Sequence, residues 1–159
     1  MNKALTAALR KIIIFPVTLL TMGISINTGL AQKSNLNSNL NNLYSPIPLP
    51  SSTELSDTLS DKDIPTGQGG FARDYTVKLN KGDNLAIDLS SENFDGMITL
   101  LAPDGSTVGE NDDGPDGTSN SLLFTRITEN GNYIIRVRSF GETGVGEFKL
   151  KVTKLQPVK

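Results

Sequence analysis

The chain has 159 residues and contains neither cysteine nor histidine. This excludes a disulfide framework, thiolate metal sites, a cysteine nucleophile and the lipidated cysteine of a bacterial lipoprotein; it also removes the usual general base, so no Ser-His-Asp triad can be assembled. Three of the 15 basic residues and none of the 17 acids lie in 1–31, so the rest holds 12 against 17, a net −5 that disfavours nucleic acid and anionic membranes as partners.

The chain opens with Lys3, Arg10 and Lys11, then an apolar run from Ile12 to Ile26, then small residues ending at Gly29-Leu30-Ala31. A positive start, a greasy centre and small residues at the −3 and −1 positions are the parts of a secretory signal peptide. Residues 1–31 are therefore read as a leader cleaved between Ala31 and Gln32. The run falls short of the roughly 20 apolar residues a spanning helix needs, and Pro16 weakens it further. An uncleaved signal anchor is the rival reading. Both export the rest of the chain, to the periplasm or beyond, with no stable membrane span once the leader is cut.

Residues 32–69 form a low-complexity stretch of Asn, Ser, Leu and Pro, with Pro46, Pro48 and Pro50 stiffening its second half. Asn and Ser favour local side-chain bonds over helix or sheet ladders, and the stretch is too polar to offset its ordering entropy. It reads as a disordered linker, with a transient helix through Leu36, Leu40 and Leu43 as the alternative. The Gly- and Pro-rich run Ile64–Gly70 marks the entrance to a domain over 70–155.

From there the pattern has period two. Tyr75, Val77 and Leu79 alternate with Thr76 and Lys78; Leu85, Ile87 and Leu89 alternate with Ala86 and Asp88. Later, Tyr133, Ile135 and Val137 alternate with Arg136 and Arg138, and Phe148, Leu150 and Val152 with Lys149 and Lys151. Such alternation predicts half-buried strands with one wet face. Met97–Leu101 and Leu122–Ile127 are more continuously apolar and are expected to be covered on both sides. Turn signals at Lys81-Gly82-Asp83, Pro103-Asp104-Gly105, Glu129-Asn130-Gly131 and Gly141–Gly146 separate the runs. The fold class is all-β, an antiparallel β-sandwich, its core resting on aliphatic residues with Phe71, Phe94, Phe124, Phe140 and Phe148. Tyr75 and Tyr133 are in phase with the core, and Tyr133 is placed to bond back to the backbone at a sandwich corner.

The segment Glu110–Asn120 is the most suggestive chemically. Three aspartates, two asparagines and a glutamate share it with glycines, and hard oxygens on a bendable loop are what calcium requires. The spacing departs from the EF-hand rule, since counting from Asp112 puts Gly114 at the third position and Leu123 at the twelfth. A turn over Ala102-Pro103-Asp104-Gly105 pairs residues whose numbers sum to about 208, give or take one, which brings Asp95 opposite the stretch Asp112–Gly114. Like charges so placed repel. Asp95, Asp112, Asp113 and Asp116 are thus candidate calcium ligands; the competing reading is that Asp and Gly are simply good turn residues in screening water. A basic stripe of Arg126, Arg136, Arg138, Lys149 and Lys151 is a second candidate surface, against the reading of solvated strand faces. No catalytic residues are assigned.

In order, Asp74-Tyr75-Thr76-Val77, Lys81-Gly82-Asp83, Phe94-Asp95, the Pro-Asp-Gly turn, Asn111-Asp112-Asp113-Gly114, Gly131-Asn132-Tyr133 and Gly146–Leu150 resemble the bacterial pre-peptidase C-terminal (PPC) domain over about residues 70 to 154. The resemblance implies a compact, jelly-roll-like sandwich in a secreted protein, and it places Asp95, Asp112 and Asp113 on the family's acidic positions. Such domains typically follow a secreted peptidase, and related modules of clostridial collagenases bind collagen and calcium. Here a leader and a tether stand upstream, and no collagen-contact motif is found. The expectation is a secreted, non-catalytic module recognising a protein or polysaccharide, with an accessory acting in trans on a secreted peptidase as the alternative.

Overall fold

A computed structural model describes residues 44–156 apart from Gln68, Asp116, Glu142 and Thr143. The leader, its cleavage point, the Leu36–Leu43 helix and Asp116 as a ligand therefore lie outside the described residues. Ten strands, and no helix among the described residues, make two sheets.

The first sheet holds β1 (Ile47–Pro48), β3 (Ile64–Pro65), β4 (Phe71–Leu79), β9 (Gly131–Ser139), β6 (Gly96–Leu101) and β7 (Thr107–Asn111). Its order is β1-β4-β9-β6-β7, with β3 also on β4. The second holds β2 (Glu54–Leu59), β10 (Gly146–Leu155), β5 (Asn84–Ser90) and β8 (Ser121–Arg126), in that order. Every pairing is antiparallel except β1 on β4, which is parallel. The architecture is a β-sandwich.

Period two does what the alternation predicts. Tyr75, Leu79, Ile98, Leu100, Tyr133, Ile135 and Val137 point from the first sheet into one core with Leu85, Ile87, Leu89, Phe148, Leu150 and Val152 of the second. Burying each aliphatic side chain contributes about 2 kcal/mol. Phe148 meets both Tyr75 and Phe94 edge-on, with ring centroids 6.3 Å apart. The Tyr133 hydroxyl donates to the Glu129 carbonyl at 3.0 Å, the corner bond expected from the sequence. Gly131 precedes it because a Cβ there would collide with the Pro103 ring. Gly105 takes φ +85°, the left-handed position of the Pro-Asp-Gly turn.

Three expectations are corrected. First, the linker does not extend to residue 69: Tyr44 onward belongs to the same compact unit as the rest of the sandwich, and β2 is a full edge strand paired to β10 from Glu54 to Leu59. Its inward phase is Leu55, Asp57, Leu59, and the aspartate at the centre hides the alternation. Ile47 and Leu49 pack on the core between prolines, which an edge position tolerates. Second, β8 is an edge strand, not covered on both sides. Its core-facing Leu123 is buried while Phe124 is 63% exposed, so Phe124 is not core. Phe140, at 55%, is not core either. β6, between β9 and β7, is buried along nearly its whole length as expected. Third, the basic stripe does not form. Arg136 and Arg138 lie on the outer face of the first sheet, whereas Lys149 and Lys151 lie in phase with Phe124 and Arg126 on the outer face of the second.

Candidate functional site

The two outer faces are built differently. On the first sheet, β4 and β9 set Asp74 opposite Arg136. Arg136 donates two bonds of 2.8 Å to the Asp74 carboxylate, and the Tyr44 hydroxyl adds a third at 2.6 Å. The Asp74 side chain is 1% exposed. Burial and the neighbouring Asp74 carboxylate push the Tyr44 hydroxyl up to about 12.

A second cluster ties the two sheets together at one edge of the sandwich. Arg73 of β4 donates to Asp57 of β2 at 2.8 Å and to Asp63 at 2.6 Å, and the Tyr75 hydroxyl also donates to Asp57 at 2.8 Å. Burial alone would raise the Asp57 carboxyl, but the Thr58 amide, the Tyr75 hydroxyl and Arg73 outweigh it and hold it below the usual range. Among the described residues no buried side-chain polar atom lacks a partner. These groups are architecture: each is fully engaged within the fold.

The acidic stretch lies at the end of the sandwich where the β5–β6, β7–β8 and β9–β10 connections meet. The hairpin closes as the turn predicts, with Ala102 N–H donating to the Ser106 carbonyl at 2.8 Å. Leu101 then faces Thr107, a bulge follows, and Leu100 faces Gly109, so the sum rises from 208 to 209. Regular pairing ends at Ile98 and Asn111, leaving Asp95 just beyond the ladder. Asp95 does come under the field of Asp112 and Asp113: burial first, then those two charges, raise its carboxyl above the usual range. The loop is organised from within. The Asn111 amide donates to the Asp113 carbonyl at 2.7 Å and to the Leu122 carbonyl at 2.9 Å, while Leu122 N–H donates to the Asp113 carbonyl at 3.1 Å. Among the described residues no three acidic side chains are grouped so as to hold a metal ion.

What sequence reasoning missed is a hollow on the outer face of the second sheet. A cleft of about 740 Å³ lies between β2, the end of β10 and the loops around Ser91 and Ser119. A second, of about 400 Å³, adjoins it beneath Gly114 and Pro115 and shares Ser90, Asn120 and Lys149 with the first. Both are lined largely by hydroxyl, amide and charged side chains. The only sequence signal was the wet phase of β5 and β10, read there as ordinary solvated surface, while β2 was read as linker.

Residues 72–139 match the sequence model of the bacterial pre-peptidase C-terminal domain, from the second residue of β4 to the last of β9. The pre-peptidase C-terminal domain of Bacillus anthracis collagenase is similar in fold, with a TM-score of 0.53 at 12% identity over 69% of this chain and 95% of that one. Structures of PliG, a periplasmic inhibitor of g-type lysozyme, also align: that of Aeromonas hydrophila at TM-score 0.46, 16% identity and 69% and 96% coverage, and that of Salmonella Typhimurium at 0.43, 12% and 69% and 100%. No curated protein matches the chain. The segment matching the family leaves out β1–β3 and β10, so two of the four strands forming the hollowed sheet, β2 and β10, come from outside it. No helix of the described residues is long and apolar enough to cross a membrane.

Proposed function

We propose that this chain is an exported, non-catalytic pre-peptidase C-terminal module that recognises a protein or polysaccharide. The observation that carries the reading is the open hollow on the outer face of the second sheet, lined by polar side chains, on a fold whose charged pairs elsewhere are closed on themselves. A chain without histidine or cysteine lacks the usual base and the thiol nucleophile, which favours binding over catalysis. The leader-like start supports export, and N-terminal sequencing of the mature protein tests it, with Gln32 as the expected first residue. Affinity capture with the full chain, on envelope and culture fractions, tests recognition. Repeated capture of one partner supports it, and failure across both fractions ends it.

The family match favours a second reading, an accessory to a secreted peptidase acting in trans. Co-secretion and co-purification with a peptidase would distinguish it. The calcium reading of Asp95, Asp112, Asp113 and Asp116 rests on the crowding around Asp95 alone, since the described carboxylates do not converge. A rise in melting temperature at millimolar calcium supports it, and no change ends it.

A further inference from the structure

The hollow has a chemistry that narrows its ligand. The cross-strand registers lay out the outer face in rows: Ser56, Lys149 and Ser90, then Glu54, Lys151, Asp88 and Leu122, within the hollow; and beyond it Thr153, Ala86 and Phe124. In the second row Lys151 lies between Glu54 on one side and Asp88 on the other and offsets one of the two charges. The walls are mainly neutral: the Ser91 hydroxyl and the Asn93 and Asn120 side-chain oxygens brace the loops from within, and the Ser119 hydroxyl and the Asn93 and Asn120 side-chain NH2 groups complete the lining. Phe124 follows two residues after Leu122 on the same face, about 7 Å along the strand, and is the most exposed large hydrophobic side chain among the described residues.

From this geometry we infer that the outer face of the second sheet binds a neutral polysaccharide chain, a step that rests on the binding-module reading above. Hydroxyls and amides both donate and accept, as a sugar's hydroxyls require. An exposed ring at the end of the row offers a flat apolar surface for the C–H face of a sugar. The competing ligands fit less well. Polyanions meet Glu54, Asp88, Glu92 and Glu147 against only Lys149 and Lys151 in the lining. A greasy small molecule would need a predominantly apolar cavity. An extended peptide adds to a sheet through a free strand edge, but this is a sheet face whose central strands, β10 and β5, are hydrogen-bonded on both sides.

The test is isothermal titration of the full chain with cellohexaose, chitohexaose, mannohexaose and maltohexaose, with a heparin oligosaccharide as the polyanion. At least one neutral hexaose should bind and heparin should not. Phe124→Ala and Ser119→Ala, both exposed and outside the core, should each weaken binding about tenfold with an unchanged melting temperature. Silence from all four neutral sugars at millimolar concentration overturns the proposal, as does binding insensitive to both variants or a preference for heparin. A protein partner captured reproducibly by a chain that binds no sugar would sink the polysaccharide proposal and leave the binding-module reading standing. Loss of both would sink both.

Discussion

Two regions of this sandwich use aspartate carboxylates to opposite ends. Along β4, Asp74 is buried beneath Arg136 and Tyr44, and Asp57 and Asp63 share Arg73 across the gap between the sheets. At the loop end, Asp95 has Asp112 and Asp113 as its electrostatic neighbours. In the first region charge is spent within the fold, fixing where β1 and β2 lie. In the second it is left facing outward beside an open hollow. Where a polar group is already satisfied by its own chain, it has little left for a ligand; recognition belongs to the region that is not closed.

The largest effect should come from opening the closed region. Arg136→Ala leaves the Asp74 carboxylate buried with only the Tyr44 hydroxyl, and should cost about 3 kcal/mol in chemical denaturation. Removing both partners, in Asp74→Ala with Arg136→Ala, should cost less than the single change, because no charge is stranded. A single-mutant loss below about 1 kcal/mol would mean that Asp74 is not held by this pair.

A smaller effect is expected at the bridge between the sheets. Asp57 is about a quarter exposed, so Asp57→Asn should cost about 1–2 kcal/mol near neutral pH. Its carboxyl is depressed in the folded state, so its contribution is present above the unfolded value, about pH 4, and is lost as pH falls through the folded one. Wild type and variant should therefore converge in acid. Urea melts at a series of pH values check this, and a constant gap down to the acid limit would show that the charge is not what matters.

Most of the fold was legible because β4, β5, β9 and β10 each keep a strict inward phase, and because one tight turn fixes the register of its hairpin. The Tyr133 corner and the approach of Asp95 to Asp112 and Asp113 followed from the same counting. What escaped had a common cause: partners distant in sequence. Asp57 sits in the inward phase of β2 and looks like a break in the pattern until Arg73 and Tyr75 are seen to reach it. The apolar run of β8 looks like a strand covered on both faces, yet a run of side chains does not say whether another layer packs against its outer face, where Phe124 lies. The hollow was least visible of all, since its lining comes from separate strands and loops, each contributing residues that read singly as ordinary surface.

The smallest effect tests the open region and carries the opposite sign. Desolvation and the charges of Asp112 and Asp113 raise the Asp95 carboxyl, so its ionised form costs stability above the folded value and costs nothing below the unfolded one. Asp95→Asn should therefore stabilise the fold near neutral pH. Water and salt screen these groups, so the gain should be a few tenths of a kcal/mol, shrinking as ionic strength rises and vanishing below about pH 3. Thermal melts at low and high salt would detect it. Calcium separates repulsion from ligation: if the carboxylates hold the ion, the variant loses the calcium-dependent rise in melting temperature and falls below wild type. If they do not, it stays slightly above wild type with or without calcium, and the cost of crowding three carboxylates beside the hollow is repulsion alone.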